Sequence, residues 1–400
     1  MPRPSTLYVH FPYCLQKCPY CDFVSYATER SAIDHTAYAD AVIREAKARC
    51  EAIDAAESAP GAHREERVFC SIFFGGGTPS LWEPDEVARV IAALRELYPC
   101  APDVEITVEC NPSSLDEARA KALVERGVTR LSVGTQSLRQ DALEFLGRLH
   151  DAAGAIAAVE GALRTGARVS TDLIFGLPDQ DPADAVLQAE TLARLGLAHL
   201  SCYQLTIEPG TRFGELAKRG RLPKIDDGRV AEAFVAIDEA LAALGLVHYE
   251  ISNYARPGQE SRHNLGYWRG WEYVGLGTGA YGFVRDPLRP DAPARGTRYR
   301  NEVLPERYIE RTKTALPTTS GEALDTTALL RERIMLGLRL AEGLDLSAHG
   351  RELGIDPWTP ERRRALEWLV QQGRITQRGE RLHLDKKAWL FCDDTAARLF

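Results

Sequence analysis

Apolar and polar positions along the first two-thirds of the chain alternate between two rhythms. Short apolar runs at 7–11 (LYVHF), 68–75 (VFCSIFFG), 105–110 (EITVEC), 130–135 (RLSVGT), 168–176 (RVSTDLIFG) and 199–205 (HLSCYQL) have the length and residue types of strands. Between them, stretches such as 114–127 (SLDEARAKALVERG) and 181–196 (DPADAVLQAETLARLG) carry helical spacing, open on helix-start residues and close on glycine. Strands separated by helices predict βαβ units and a parallel sheet. A seventh apolar run, 248–255 (HYEISNYA), is expected to extend or flank that sheet.

Within each strand the alternation divides the residues between two faces. Glu105, Thr107 and Glu109 share one face, as do Ser132, Gly134 and Gln136, and Arg168, Ser170 and Asp172. Their opposite faces hold Ile106, Val108 and Cys110; Leu131, Val133 and Thr135; and Val169, Thr171 and Leu173. An open sheet covered by helices on both sides would read apolar on both faces. One polar face predicts a curved, partial (β/α) barrel, with helices outside and a site within. The unusual residues also gather at one end of the strands, where such barrels carry their chemistry. A cysteine-rich loop follows the first strand, GGGTPS (75–80) follows the second, Glu109 ends the third, Gln136 follows the fourth and Asp172 lies late in the fifth.

Beyond this region the rhythm changes. The stretch 283–300 is rich in Pro and Arg without helical periodicity and is expected to be a linker or exposed excursion. Three helical patterns follow at 328–343, 346–354 and 360–373, then a hairpin over 374–384 turning at Arg378-Gly379. Three helices and a hairpin predict a winged-helix-like, largely helical C-terminal domain. The expected division is 1–282 for the barrel, 283–318 for the linker and 319–400 for the C-terminal domain.

Composition narrows the field. The formal net charge of −8 argues against broad nucleic-acid binding and against an anionic membrane face, although a local basic patch and peripheral membrane contact stay open. The winged-helix region is therefore read as a packing or lid domain ahead of a DNA-binding regulator. No stretch approaches a transmembrane helix, and the start lacks the apolar region of a secretory signal. Nine cysteines, mostly scattered, are no disulfide framework and fit a reducing cytoplasm.

Three of those cysteines, Cys14, Cys18 and Cys21, stand in a C-x3-C-x2-C pattern, with Phe23 where a fourth might follow. Structural zinc prefers four closed ligands, commonly in two separated knuckles. A [4Fe-4S] cubane held by three thiolates leaves one iron open to an outside ligand. The spacing favours the cluster. Cys50, Cys70, Cys110 and Cys202 are read as small buried side chains.

Together, LYVHFPYCLQKCPYCDF, FFGGGTPSLW, VECNPSSL, LSVGTQSL and DLIFGLPDQ resemble the radical S-adenosylmethionine (SAM) superfamily. Within it they are similar to the group holding oxygen-independent coproporphyrinogen III dehydrogenase and the haem chaperones of HemW type. The resemblance implies that SAM chelates the open iron through its amino and carboxylate groups, and that reductive cleavage gives methionine and a 5′-deoxyadenosyl radical. It implies SAM contacts at Tyr8, Tyr20, Gly76, Gly77, Thr78, Glu109, Gln136, Arg148 and Asp172. Read from the residues alone, Arg148 is equally a solvated helix-end arginine and Tyr8 a barrel-core aromatic.

Two features favour the chaperone branch over the dehydrogenase: Phe23 replaces its fourth cysteine, and only thirteen residues precede Cys14 where it carries an N-terminal arm. A third is RHNLGYW (262–268), similar to the H-N-x-x-Y-W motif associated with haem in the chaperones. The resemblance implies haem bound at His263, Tyr267 and Trp268, reached past an exposed turn at Pro257-Gly258. A structural, hydrogen-bonded histidine is the alternative. The expected function is a chaperone binding haem and a SAM-coordinated cluster and passing haem to an acceptor protein. The alternative activities are oxidative decarboxylation of coproporphyrinogen III and another radical SAM reaction. A winged-helix regulator sensing through its cluster ranks last on charge.

Overall fold

The computed structural model describes residues 2–59, 66–287 and 295–400. Twelve strands form its main sheet: β1 (Arg3–Phe11), β2 (Arg67–Gly76), β3 (Cys100–Cys110), β4 (Arg130–Gln136), β5 (Arg168–Phe175), β6 (His199–Gln204), β7 (Val247–Glu250), β8 (Asn253–Ala255), β9 (Glu272–Gly277), β10 (Tyr281–Arg285), β11 (Gly296–Asn301) and β12 (Thr318–Leu324). Their spatial order is β12-β11-β10-β9-β1-β2-β3-β4-β5-β6-β8-β7. From β9 through β1 to β6 every neighbouring pair is parallel; the flanking pairs are antiparallel. The order has two ends, so the barrel is partial.

Helices join the parallel strands as the periodicity requires. Asp116 and Asp181 accept backbone hydrogen bonds from Arg119 and Ala183 and start helices Glu117–Glu125 and Pro182–Ala193. The outward residues Ile106, Val108, Leu131, Val133, Val169, Leu173 and Leu200 pack with the helices in one apolar core. The inward residues line up in register across the sheet. Thr6 pairs with Ser71 and Ser71 with Glu105; Thr107 with Arg130 and Arg130 with Arg168; Glu109 with Ser132, Ser132 with Ser170 and Ser170 with His199. The barrel interior is thus layered and largely polar, with Tyr8 and Phe73 continuing the Thr107 layer as aromatics.

The run at 248–255 splits into β7 and β8 and flanks the sheet antiparallel at one edge. Strand β9 escapes the hydropathy pattern, because EYVGLG is short and two of its six residues are glycine, yet it pairs parallel with β1. The expected linker over 283–300 is corrected. Phe283 pairs with Arg298 and Gly282 with Tyr299, so β10 and β11 continue the sheet; residues 288–294 of that stretch lie outside the described residues. Alternation is present in GTRYRN, but the arginines disguise it: Tyr299 is buried while Arg298 forms an ion pair with Glu322. The C-terminal helices Thr326–Gly337, Leu346–Leu353 and Pro360–Gln371 and the hairpin Ile375–Arg378 with Arg381–Leu384 follow as expected. They close a second apolar core that also takes Phe283 and Leu324 from the sheet. The sheet therefore runs through the expected boundaries at 282 and 319.

One buried carboxylate fastens this extension to the barrel. Glu45, on helix His35–Glu57, accepts from Arg49 at 2.6 Å, Asn301 at 2.8 Å, the Gly277 amide at 2.9 Å and the Tyr308 hydroxyl at 2.7 Å. Arg49 in turn reaches Asn301 and lies 3.6 Å over the Tyr299 ring. Removing one partner of a buried ion pair leaves the other charge uncompensated. Glu45→Ala is expected to lower the unfolding free energy by about 3–5 kcal/mol in urea titrations; a loss under 1 kcal/mol would remove the clamp from the account.

Candidate functional site

At the carboxyl ends of the parallel strands lies a cavity of about 450 Å³. Cys14, Cys18 and Cys21 line one side of it, and Glu109, Gln136 and Asp172 the strand ends opposite. The cysteine loop is a closed unit. Tyr13–Cys14 pairs with Tyr26–Ala27, the Tyr26 amide donates to Pro12 O and Thr28 to Cys14 O, both at 2.8 Å. Lys17 Nζ donates to the carbonyls of Phe23 and Ser25 across the loop.

The glycine loop is bound against the cysteine loop. Gly77 N donates to Phe11 O at 2.7 Å and Thr78 N to Tyr13 O at 2.9 Å. A Cβ on Gly77 would lie 2.7 Å from Tyr13 O, and one on Gly76, whose φ is +107°, would lie 2.4 Å from the His10 ring. No side chain fits at either position, which leaves backbone facing the cavity.

Two donors address the thiols. Thr78 Oγ1 lies 3.4 Å from Cys14 Sγ, and Arg148 Nη1 lies 3.5 Å from Cys18 Sγ. Arg148 also donates to Gly134 O at 2.9 Å, while its buried Nε has no partner. The alternative of a solvated helix-end arginine is not what the structure holds. Burial pushes the Cys14 and Cys21 thiols up, partly opposed at Cys14 by the Thr78 hydroxyl. Among the described residues, no three Cys, His, Asp or Glu side chains converge on a point for one metal ion. A cubane has four irons, so its thiolates need not converge on one.

The carboxylates are in the opposite condition. Burial, and then repulsion from Asp172, raise Glu109 to about 7 against the Gly76 amide and Arg130, which lower it. Burial raises Asp172 as well, opposed by the Ser201 hydroxyl, Arg130 and Arg148. Gln136 holds φ at +66°, a left-handed conformation a non-glycine residue adopts when its surroundings enforce it, and it interrupts the β4–β5 register. Poorly neutralised carboxylates, exposed backbone and thiols in one cavity suit a ligand with a cationic group that also coordinates metal.

Of the residues expected at the SAM site, Tyr20, Gly76, Gly77, Thr78, Glu109, Gln136, Arg148 and Asp172 all line this cavity; Tyr8 does not. Its hydroxyl bonds His10 Nδ1 at 2.9 Å and its ring stacks beneath the glycine loop, the core-aromatic alternative. Cys110, read as facing only the helices, also touches the cavity rim. Ser132, which alternation places on the inward face, also lines it, and Tyr203 and Gln204 line it unanticipated. Alternation along β6 was the available signal, since it puts His199, Ser201 and Tyr203 on one face.

The expected haem residues lie elsewhere. The turn at Pro257-Gly258 is exposed, but His263 is 1% accessible. Its Nδ1 meets Ser71 Oγ at 2.9 Å and its Nε2 the Tyr267 hydroxyl at 3.2 Å. The expectation of a reachable imidazole is corrected: both nitrogens are engaged within the barrel interior. Trp268 packs against the Arg339 guanidinium, 5.3 Å from its ring. In this arrangement these three residues do not fit a haem ligand set.

Fold and cavity are those of a radical SAM protein, and sequence comparison agrees: the profile of the Radical SAM superfamily matches residues 8–192, and that of the HemN C-terminal domain matches 324–391. "Heme chaperone HemW" of Mycobacterium tuberculosis is 34% identical over 98% of this chain and 93% of its own. "Heme chaperone HemW" of Escherichia coli is 37% identical over 77% of each chain. "Radical S-adenosyl methionine domain-containing protein 1, mitochondrial" of Danio rerio is 34% identical over 85% of this chain and 74% of its own. The chain belongs to the HemW family of radical SAM proteins. In fold it is similar to coproporphyrinogen III oxidase (HemN) of Escherichia coli, with a TM-score of 0.78 at 21% identity, over 100% of this chain and 90% of that one.

The raised Glu109 carboxyl has a consequence for stability. Between its ordinary value of 4.5 and about 7 the folded chain keeps a proton that the unfolded chain has released. Its contribution is therefore full below about 4.5 and is lost as pH rises through about 7. Glu109→Gln, which stays neutral, is expected to gain on the wild type across that window. Because the cavity admits solvent, the gain should reach only about 1–3 kcal/mol at pH 8. Denaturation of SAM-free protein at about pH 4.5 and pH 8 measures it, and a pH-independent difference would contradict the assignment.

Proposed function

We propose that this chain is a haem chaperone: it binds haem, carries a [4Fe-4S] cluster with SAM, and passes haem to acceptor proteins. The observation that carries this is full-length similarity to proteins named heme chaperone, in a chain with Phe23 at the position of the dehydrogenase's fourth cysteine. Phe23 is 58% exposed at the cavity rim. Cys14, Cys18 and Cys21 hold the cluster, which when loaded supplies an iron with an open coordination position.

The protein's own residues have separable tasks. Thr78 and Arg148 donate toward sulfur and stabilise thiolate over thiol. Gly76 and Gly77 let their loop pack tightly on His10 and the Phe11–Tyr13 backbone, which turns the loop's own backbone toward the ligand. Glu109 and Asp172 supply negative charge for the cationic part of SAM, a pairing that returns the desolvation each carboxylate carries. Tyr20 and Gln136 complete the wall. Haem is cargo in this reading.

The parallel strands β1–β6 are assigned to the cluster and SAM, and the C-terminal helices and hairpin to packing against the far edge of the same sheet. The scattered cysteines, all free among the described residues, favour the cytoplasm, and no helix there is long and apolar enough to cross a membrane. The acidic balance disfavours nucleic acid as a partner.

The test uses cluster-loaded protein. Titration with haem is expected to give a saturating Soret band, and an apo haem protein added afterwards should acquire that haem. Incubation with coproporphyrinogen III, SAM and reductant is expected to yield no protoporphyrinogen IX. Steady conversion, or failure to bind haem, would overturn the reading.

A further inference from the structure

The helix Arg262–Trp268 lies across the N-terminal mouth of the barrel, at the opposite end from the cysteines. Its seat is built from the inward layers of the strands. Glu105, 3% accessible, accepts from the backbone amides of Arg262 at 3.0 Å and His263 at 3.3 Å, so one carboxylate caps the helix from below. The other oxygen of Glu105 takes the Arg168 guanidinium at 2.8 Å, and Arg168 also donates to the carbonyls of Gln259 and Glu260. Gly266 lies so close to β1 that a Cβ there would come within 2.7 Å of Thr6 Cγ2 and 3.0 Å of Trp271. Apart from Trp271, these contacts tie the helix and the segment before it to the barrel strands.

His263 points from this helix into the lumen. Burial lowers its pKa to about 3, so the ring is neutral, with one nitrogen donating and the other accepting. Ser71 and Tyr267 are hydroxyls that can serve either tautomer. The ring stacks 4.7 Å from Phe73, with an interplanar angle of 18°, and 6.2 Å from Tyr8 at 28°. Tyr8 bonds His10 at 2.9 Å, and the His10 ring fills the space where Gly76 has no side chain. Phe73 and Tyr8 likewise occupy the space beside Gly75, together with Glu109. A continuous stack thus runs from His263 to the glycine loop.

We propose that the H-N-x-x-Y-W helix is a plug for the N-terminal mouth of the barrel, and that His263 is a positioning residue for the floor of the SAM cavity, not a ligand of haem iron. Iron ligation by His263 would require breaking at least one of its two hydrogen bonds and drawing the ring out from between Phe73 and Tyr267. The proposal rests on the SAM and haem reading above, and the two fail differently. A wild-type protein that never binds haem defeats the chaperone, whereas the SAM measurements below still test the plug.

The experiment compares cluster-loaded wild type with His263→Ala, His263→Gln and the double variant Ser71→Ala/Tyr267→Phe, by haem titration and by calorimetry with SAM. All variants are expected to keep the wild-type Soret maximum and haem stoichiometry. His263→Ala should weaken SAM binding about tenfold or more, and His263→Gln, which retains a donor and an acceptor at that depth, should restore most of it. The double variant frees both ring nitrogens without removing the imidazole, so it decides the matter even if His263→Ala does not fold. Unchanged haem affinity in it is the expected result. Haem affinity that rises in the double variant, a Soret band that shifts or vanishes in either His263 variant, or SAM affinity untouched by His263→Ala would overturn the proposal.

Discussion

A polar group taken out of water must find a partner inside the fold, and in this protein that constraint sorts the barrel interior into two ends. At the N-terminal end the buried carboxylate is met. Glu105 faces Arg168 and two backbone amides. At the C-terminal end the accounts are left open: burial and then repulsion from Asp172 raise Glu109, burial raises Asp172, and Arg148 keeps a bare Nε beside a cysteine sulfur. The paired end is scaffold and the unpaired end is site. SAM, with its positive charge and its metal-chelating amino acid group, supplies what the second end lacks.

The C-terminal half extends the same scaffold. Glu45 holds β9 and β11 against the first helix, and Arg269 pairs with Glu342 at 2.9 Å. Arg333, 4% accessible, packs against Gly270 just beyond the plug. The segment 262–270 therefore touches both the barrel strands and the C-terminal helical region, so a change in its position would reach the glycine loop through the aromatic stack.

Much of this was legible in the sequence wherever the signal was local. Period-two alternation in EITVEC and RVSTDLIFG sorted inner from outer residues, and the cysteine spacing with GGGTPS located the cavity. The legibility failed where tertiary context decided the outcome. Strand β11 hid behind its arginines: the partners of Arg298, Glu322 and Glu332, are distant in sequence, and Arg300 lies over the Tyr281 ring. The imidazole of His263 follows an exposed turn, so nothing nearby announced that Ser71, 192 residues away, would bond it. Tyr8 belongs to a strand whose inward face could be read, but whether a ring lines a cavity or supports it depends on what stacks beneath.

The central claim is that the unpaired carboxylates at the strand ends and the three-cysteine loop form one SAM-binding unit. Electron paramagnetic resonance of the reduced, cluster-loaded protein tests this most directly, recorded with and without SAM for wild type and for Glu109→Gln/Asp172→Asn. The expected result is a cluster signal in both proteins that SAM alters in the wild type and leaves unchanged in the double variant. A double variant whose signal responds to SAM as the wild type does would contradict the account.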